Sequence, residues 1–105
     1  MGSPTSVFDL SAFQRDLLYV LAGLDRPSGQ TVSRTLTEEM AHVGHGQLYS
    51  NLDVLVEYGL VEKGAKNQRA NFYELTDAGA DLLRARREWE DRYLSSLSAV
   101  EVCQG

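Results

Sequence analysis

With 105 residues, of which 43% are hydrophobic and 24% charged, the chain fits one domain with a modest core and is neither a disordered segment nor a membrane protein. Its longest apolar clusters, such as LLYVLAGL, fall far short of the roughly 18 to 20 residues that span a bilayer. A net charge of −5 and a pI near 4.9 count against nucleic acid as a partner, because a DNA binder ordinarily carries a basic footprint.

The opening residues, MGSPTSVFDLSAF, lack a basic stretch followed by an apolar run, so no secretory signal is expected and the chain reads as soluble and cytoplasmic. Ser11 followed by Gln14 has capping-box spacing, in which each side chain satisfies a backbone donor at a helix start. Phe13, Leu17, Leu18, Val20, Leu21 and Leu24 then recur at helical intervals until Pro27 and Gly29 break the pattern. Ser28 is placed to cap a second, shorter helix over about 29–40, with Val32, Leu36 and Met40 as its apolar stripe. AHVGHG follows as a turn.

A third helix is expected over about 45–58. Leu48, Leu52 and Leu55 fall at i, i+4 and i+7 and define one buried face, flanked by Tyr49 and Val56. Gly59 suits the left-handed position that ends a helix. LVEKGA alternates as a strand, KNQRAN reads as a polar turn and FYELT as a second strand, making a small hairpin with a charged tip. Thr76 is the expected N-cap of a fourth helix over about 77–97, and AVEVCQG reads as a frayed end. The fold expected is mainly α with a small β-hairpin wing: a winged helix-turn-helix over 1–76, then a dimerisation helix and tail over 77–105.

In this order of elements, the second and third helices pack through the glycine turn, so that the third can enter a DNA major groove. With the leucines inward, Gln47, Ser50, Asn51 and Val54 face outward, with Tyr49 beside them and His45 at the helix start. Gln and Asn make paired hydrogen bonds to adenine, and a valine meets a thymine methyl. Lys63, Lys66, Asn67, Gln68 and Arg69 of the hairpin suit phosphate contact or insertion in a minor groove. Each of these features also has a plain reading, as the solvated outside of a packed helix or as an ordinary polar turn; their conjunction favours DNA.

The stretch HGQLYSNLDVLVEYGLVEKG resembles the recognition helix and first wing strand of PadR-family transcriptional regulators, with Gly46, Leu48, Tyr49, Leu52, Leu55, Gly59 and Leu60 matching the pattern. FYELTDAGADLL resembles the segment after the wing, and FQRDLLYVLAGL the first helix in the form found in regulators of salt-loving archaea. The likeness covers roughly residues 8–97. It implies a winged-helix regulator, typically a repressor, in which two chains pair through the last helix and set two recognition helices on double-stranded DNA. PSGQTVSRTL departs from the family by lacking its Gly-Tyr pair, which removes the basis for an aromatic ligand contact at that place.

The charge objection weakens on closer reading. Residues 1–43 carry a net of −2 and residues 72–105 a net of −3, whereas residues 44–71 are neutral. Two lysines against eight arginines, both outnumbered by Asp and Glu, fit a protein kept soluble in molar salt by an acidic surface. There the Debye length is about 3 Å, so repulsion from DNA is screened.

For the last helix, Leu82, Leu83, Arg86, Trp89, Tyr93, Leu94 and Leu97 are the expected dimer contacts. Glu38, His42 and His45 lack the cysteine or tight cluster of a metal site, Cys103 stands alone near the end, and no nucleophile–base set or phosphate loop suggests an enzyme. No metal or cofactor is expected, and an effector is not identifiable. The competing reading is a winged-helix module that binds another protein through the third helix.

Overall fold

The computed structural model describes residues 10–39, 43–65, 67–68 and 70–104, with side chains as far as Leu97. Met40, His42, Lys66, Arg69 and the side chain of Cys103 lie outside the described residues. Those described form four helices and a two-stranded antiparallel hairpin.

Helix α1, Ala12–Gly23, starts from the expected capping box: the Gln14 amide donates to Ser11 Oγ and the Ser11 amide to Gln14 Oε1, each at 3.1 Å. Leu17, Leu18 and Leu21 are its buried face. After it the chain turns sharply at Arg26, whose φ of 47° lies in the left-handed region. Ser28 then caps helix α2, Gly29–Glu39, its Oγ accepting from the Thr31 amide at 3.2 Å, and Val32 and Leu36 turn inward.

Helix α3, His45–Glu57, has Gly44 at its N-cap with no side-chain cap bond, and Leu48, Leu52 and Leu55 are fully buried. Its end is a Schellman motif: Gly59, at φ 79°, donates to Val56 O and Leu60 to Leu55 O at 3.1 Å. The buried Leu60 leads into β1, Val61–Ala65, which pairs with β2, Asn71–Leu75, in a register joining Val61 to Leu75 and Lys63 to Tyr73.

One pairing is invisible in the sequence pattern. The segment before α2 lies along β2 as a rudimentary third strand, with Ser28 bridging Phe72 and the Tyr73 amide donating to Pro27 O at 2.9 Å. Arg26 covers this junction, its guanidinium 4.3 Å from the centre of the Phe72 ring. The wing is thereby anchored to the start of α2 as well as to the end of α3.

Helix α4, Asp77–Gln104, has Thr76 as its cap, which donates to Gly59 O at 2.7 Å and accepts from the Gly79 amide at 3.1 Å. It continues beyond the expected end near residue 97, through the stretch read as frayed. Favourable intrahelical bonds continue wherever no glycine or proline interrupts them, and none does from Ala80 to Gln104. At 28 residues the helix is about 42 Å long. Its first turns belong to the chain's own core: Leu83 is buried and Leu82 packs against the same cluster. No helix among the described residues is long and apolar enough to cross a membrane.

Tyr73 is the aromatic member of this core. Burial raises its hydroxyl above the ordinary pKa of 10, and the nearby Asp53 carboxylate, then Tyr49, add to the shift. The unfolded chain therefore ionises first, so the contribution of Tyr73 to stability is complete below pH 10 and is lost as pH rises towards the folded-state pKa. Tyr73→Phe should flatten the alkaline loss of stability in urea unfolding series from pH 9 to 11. An unchanged slope would show that Tyr73 does not carry it.

Candidate nucleic-acid interface

Because Leu48, Leu52 and Leu55 share one side of α3, residues one or two places from them, such as 47, 50 and 54, turn to the other. Gln47 and Ser50 are exposed there and Val54 is half-buried. The Ser50 hydroxyl donates back to Gln47 O at 3.3 Å, so it keeps its lone pairs outward. His45 is exposed at the first turn and stacks against Tyr49, with ring centres 4.6 Å apart and planes tilted by 52°.

Asn51 departs from the expectation of an outward base reader. Its Nδ2 donates to Gln47 O at 2.8 Å, while its Oδ1 accepts from Gln14 Nε2 of α1 at 3.1 Å. The amide is half-buried and engaged at both ends within the protein. Position 51 lies at the edge of the outward face, close enough to α1 for the longer Gln14 side chain to reach it.

Tyr49 is half-buried and lies against the start of α2, where a Cβ on Gly29 would collide with its ring and hydroxyl. That position accepts no side chain unless Tyr49 moves. Tyr49 therefore supports the placement of α3 beside α2, as well as lining the surface.

The wing residues divide. Asn67 and Gln68 are exposed at the tip, and Asn67 also shapes the turn by accepting from the Ala70 amide at 2.9 Å. Lys63 stands in the stem instead. Its ammonium lies 3.9 Å from the Asp53 carboxylate of α3 and 5.9 Å from the centre of the Tyr73 ring, so it turns towards α3. Both groups of this pair are well exposed, and its contribution to stability is small. Its effect on charge is local: a lysine expected to meet phosphate has a carboxylate beside it.

Between α2, α3 and the wing lies an open groove of about 770 Å³. Ser28, Gly29 and Gln30 form one wall, Tyr49 and Tyr73 the floor, and Asn67, Gln68 and Asn71 the other wall. No charged side chain lines it among the described residues. The contribution of Ser28, Gly29 and Gln30 was not evident from the sequence, because it arises from the strand-like pairing at Ser28.

On α4 the expected dimer contacts separate into two groups. Leu82 and Leu83 are taken up by the intramolecular core, since the first turns of the helix lie over Leu60 and Leu75. Further along, Arg86 stacks over Trp89 at 4.6 Å and bonds Glu90 at 3.1 Å, and Trp89 meets Tyr93 at 5.2 Å between ring centres. Tyr93, Leu94 and Leu97 are 65%, 49% and 54% exposed, a level of apolar exposure that the core does not explain.

Three comparisons bear on this arrangement. The profile of the transcriptional regulator PadR-like family matches residues 17–85. Among solved structures, RosR of H. salinarum grown from NaBr is 34% identical, with 92% of this chain and 97% of that chain covered and a TM-score of 0.75. A RosR-S4 complex structure is 36% identical, with 91% and 92% covered and a TM-score of 0.76. A PadR-family regulator from Clostridium difficile R20291 is 20% identical over 84% of this chain and 97% of that one, with a TM-score of 0.61, a likeness of fold. A search of curated proteins gave no match. The winged arrangement, the family profile over most of the chain and the likeness to RosR along nearly all of it lead to one conclusion: this chain belongs to the PadR-like family of DNA-binding transcriptional regulators.

Proposed function

We propose that the chain is a homodimeric, sequence-specific repressor that works in the cytoplasm at high salt. Helix α3 enters the major groove and the wing rests on the backbone or in the minor groove. The observation that carries this reading is the phase of α3: three fully buried leucines on one side, and on the other exposed Gln47 and Ser50 with half-buried Val54, near a groove whose described lining is uncharged. Gln47 supplies a donor and an acceptor for a base edge, Ser50 an acceptor through its outward lone pairs, and Val54 a methyl contact. Lys66, Asn67, Gln68 and Arg69 extend the contact from the wing.

Selection of bound duplexes from a random pool at molar KCl tests the assignment directly. Gln47→Ala and Ser50→Ala are then expected to cost about 1–3 kcal/mol of discrimination per lost base contact. If both variants bind every duplex as the parent does, the competing reading of α3 as a protein-docking helix takes its place. The polar character of residues 46–54 disfavours that alternative.

Salt dependence follows from the charges. Residues 44–71 hold Lys63, Lys66 and Arg69 as their cations, and Lys63 is beside Asp53. Full phosphate neutralisation by six such groups in a dimer would give a slope of log K against log [salt] of about −5. The expected slope in anisotropy titrations is much shallower, and a value of −5 or steeper would overturn the salt-adapted reading.

For the dimer, we assign residues 77–105 as the arm that joins two chains and 1–76 as the DNA-binding part. Beyond the turns that complete the core, Trp89, Tyr93, Leu94 and Leu97 supply the contact with the partner copy, with Arg86 at its inner edge. Leu94→Glu combined with Leu97→Glu should leave helix content unchanged by circular dichroism and halve the mass seen by light scattering. A parent protein that is already monomeric at high salt would refute the assignment.

A further inference from the structure

The bond between Gln14 and Asn51 joins residues 37 positions apart and belongs to a longer chain of contacts. The Ser11 amide donates to Gln14 Oε1, Gln14 Nε2 donates to Asn51 Oδ1, and Asn51 Nδ2 donates to the carbonyl of Gln47. Reversing either side-chain amide would set donor against donor or acceptor against acceptor. The direction of the chain is therefore fixed from the cap of α1 to Gln47 on the outward side of α3.

Among the described residues, α1 and α3 otherwise meet through the leucines of the core, and apolar attraction is non-directional. It sets which side of α3 faces inward but leaves the last few degrees of rotation to contacts that have direction. A rotation of about 10° moves a polar atom 6 Å from the axis by about 1 Å, given the radius of a helix with its side chains. Protein hydrogen bonds span only about 2.7–3.2 Å, so a shift of that size removes a base contact. The Gln14–Asn51 bond is half-buried, where competition from water is reduced and direction counts for more.

We propose that Gln14 is a positioning residue for DNA recognition: through Asn51 it fixes the rotation of α3, and discrimination between sequences depends on this side chain of α1. Asn51 then acts through Gln47 and the helix backbone. The proposal rests on the reading of α3 as a DNA-recognition helix.

Gln14→Glu separates this role from helix capping. Glutamate at this position keeps the capping box, because its carboxylate still accepts from the Ser11 amide, but it has no proton to donate to Asn51. The probe is the duplex enriched by the parent protein from a random pool at molar KCl, with an unrelated duplex of equal length as reference. Gln14→Glu is expected to keep the melting temperature within a few degrees and to weaken binding to the enriched duplex about tenfold, the scale of one hydrogen bond. Binding to the reference duplex stays within about twofold on that same scale. Ser11→Ala, which removes the cap and keeps the Gln14–Asn51 bond, is expected to lower stability and retain discrimination.

Asn51→Ala cuts the same contact from the other side and should show the same loss, should Gln14→Glu unfold the chain. With Asn51→Ala already present, Gln14→Glu should change discrimination no further. Full discrimination in Gln14→Glu, or losses that simply add in the double variant, would overturn the proposal. A parent protein that enriches no duplex would remove the DNA reading itself, and this is seen before any substitution is made.

Discussion

Three leucines set the conditions for everything else in this chain. Leu48, Leu52 and Leu55 fill the space between α3 and the helices before it, and once they are buried the opposite side of α3 has no choice of direction. Apolar burial decides which side faces water, and it decides little else. The finer placement of α3 comes from contacts with direction: Tyr49 against Gly29, the Schellman turn at Gly59 and the amide of Asn51 bonded to α1. The core creates the surface, and a few polar or close contacts fix its aim.

That surface is polar and belongs to a stretch, residues 44–71, whose charges cancel, in a protein of net charge −5. A groove lined, among the described residues, by uncharged side chains beside a polar helix face is an unusual answer to a polyanion in dilute solution. In concentrated salt it is a consistent one. Long-range attraction is screened there, and little free energy is gained by displacing counterions. Groups that work at contact distance remain effective. The Lys63–Asp53 pair fits this balance, since it moderates a cation without removing its donor.

Much of the architecture was legible because it rests on periodicity and punctuation. The leucine spacing, the Ser11–Gln14 cap, Gly59 and Thr76 each mark a local event, and local events are written in adjacent residues. What escaped depends on distant partners. Nothing near Asn51 indicates that Gln14 bonds it, and the outward spacing alone makes it look like a base reader. Lys63 reads as one more phosphate contact of the hairpin because the facing Asp53 becomes its neighbour only when β1 is laid beside α3. Leu82 and Leu83 fit the apolar stripe of α4, but their position over Leu60 and Leu75 follows from the tight turn at Thr76. The strand-like pairing of Ser28 with Phe72 has no pattern of its own, since one bridge is too short to alternate.

The turn at Thr76 has a mechanical meaning. Its hydroxyl grips the carbonyl of Gly59 where α3 ends and caps α4 where that helix begins, so the two helices share one pivot. Over the roughly 42 Å length of α4, a tilt of 10° at the pivot displaces the far end by about 7 Å. In a pair of chains joined at those far ends the relation runs in reverse: a slight repacking between the arms alters the distance between the two reading heads by a sizeable part of a DNA helical turn. A regulator built in this way would hold its gearing in a single threonine.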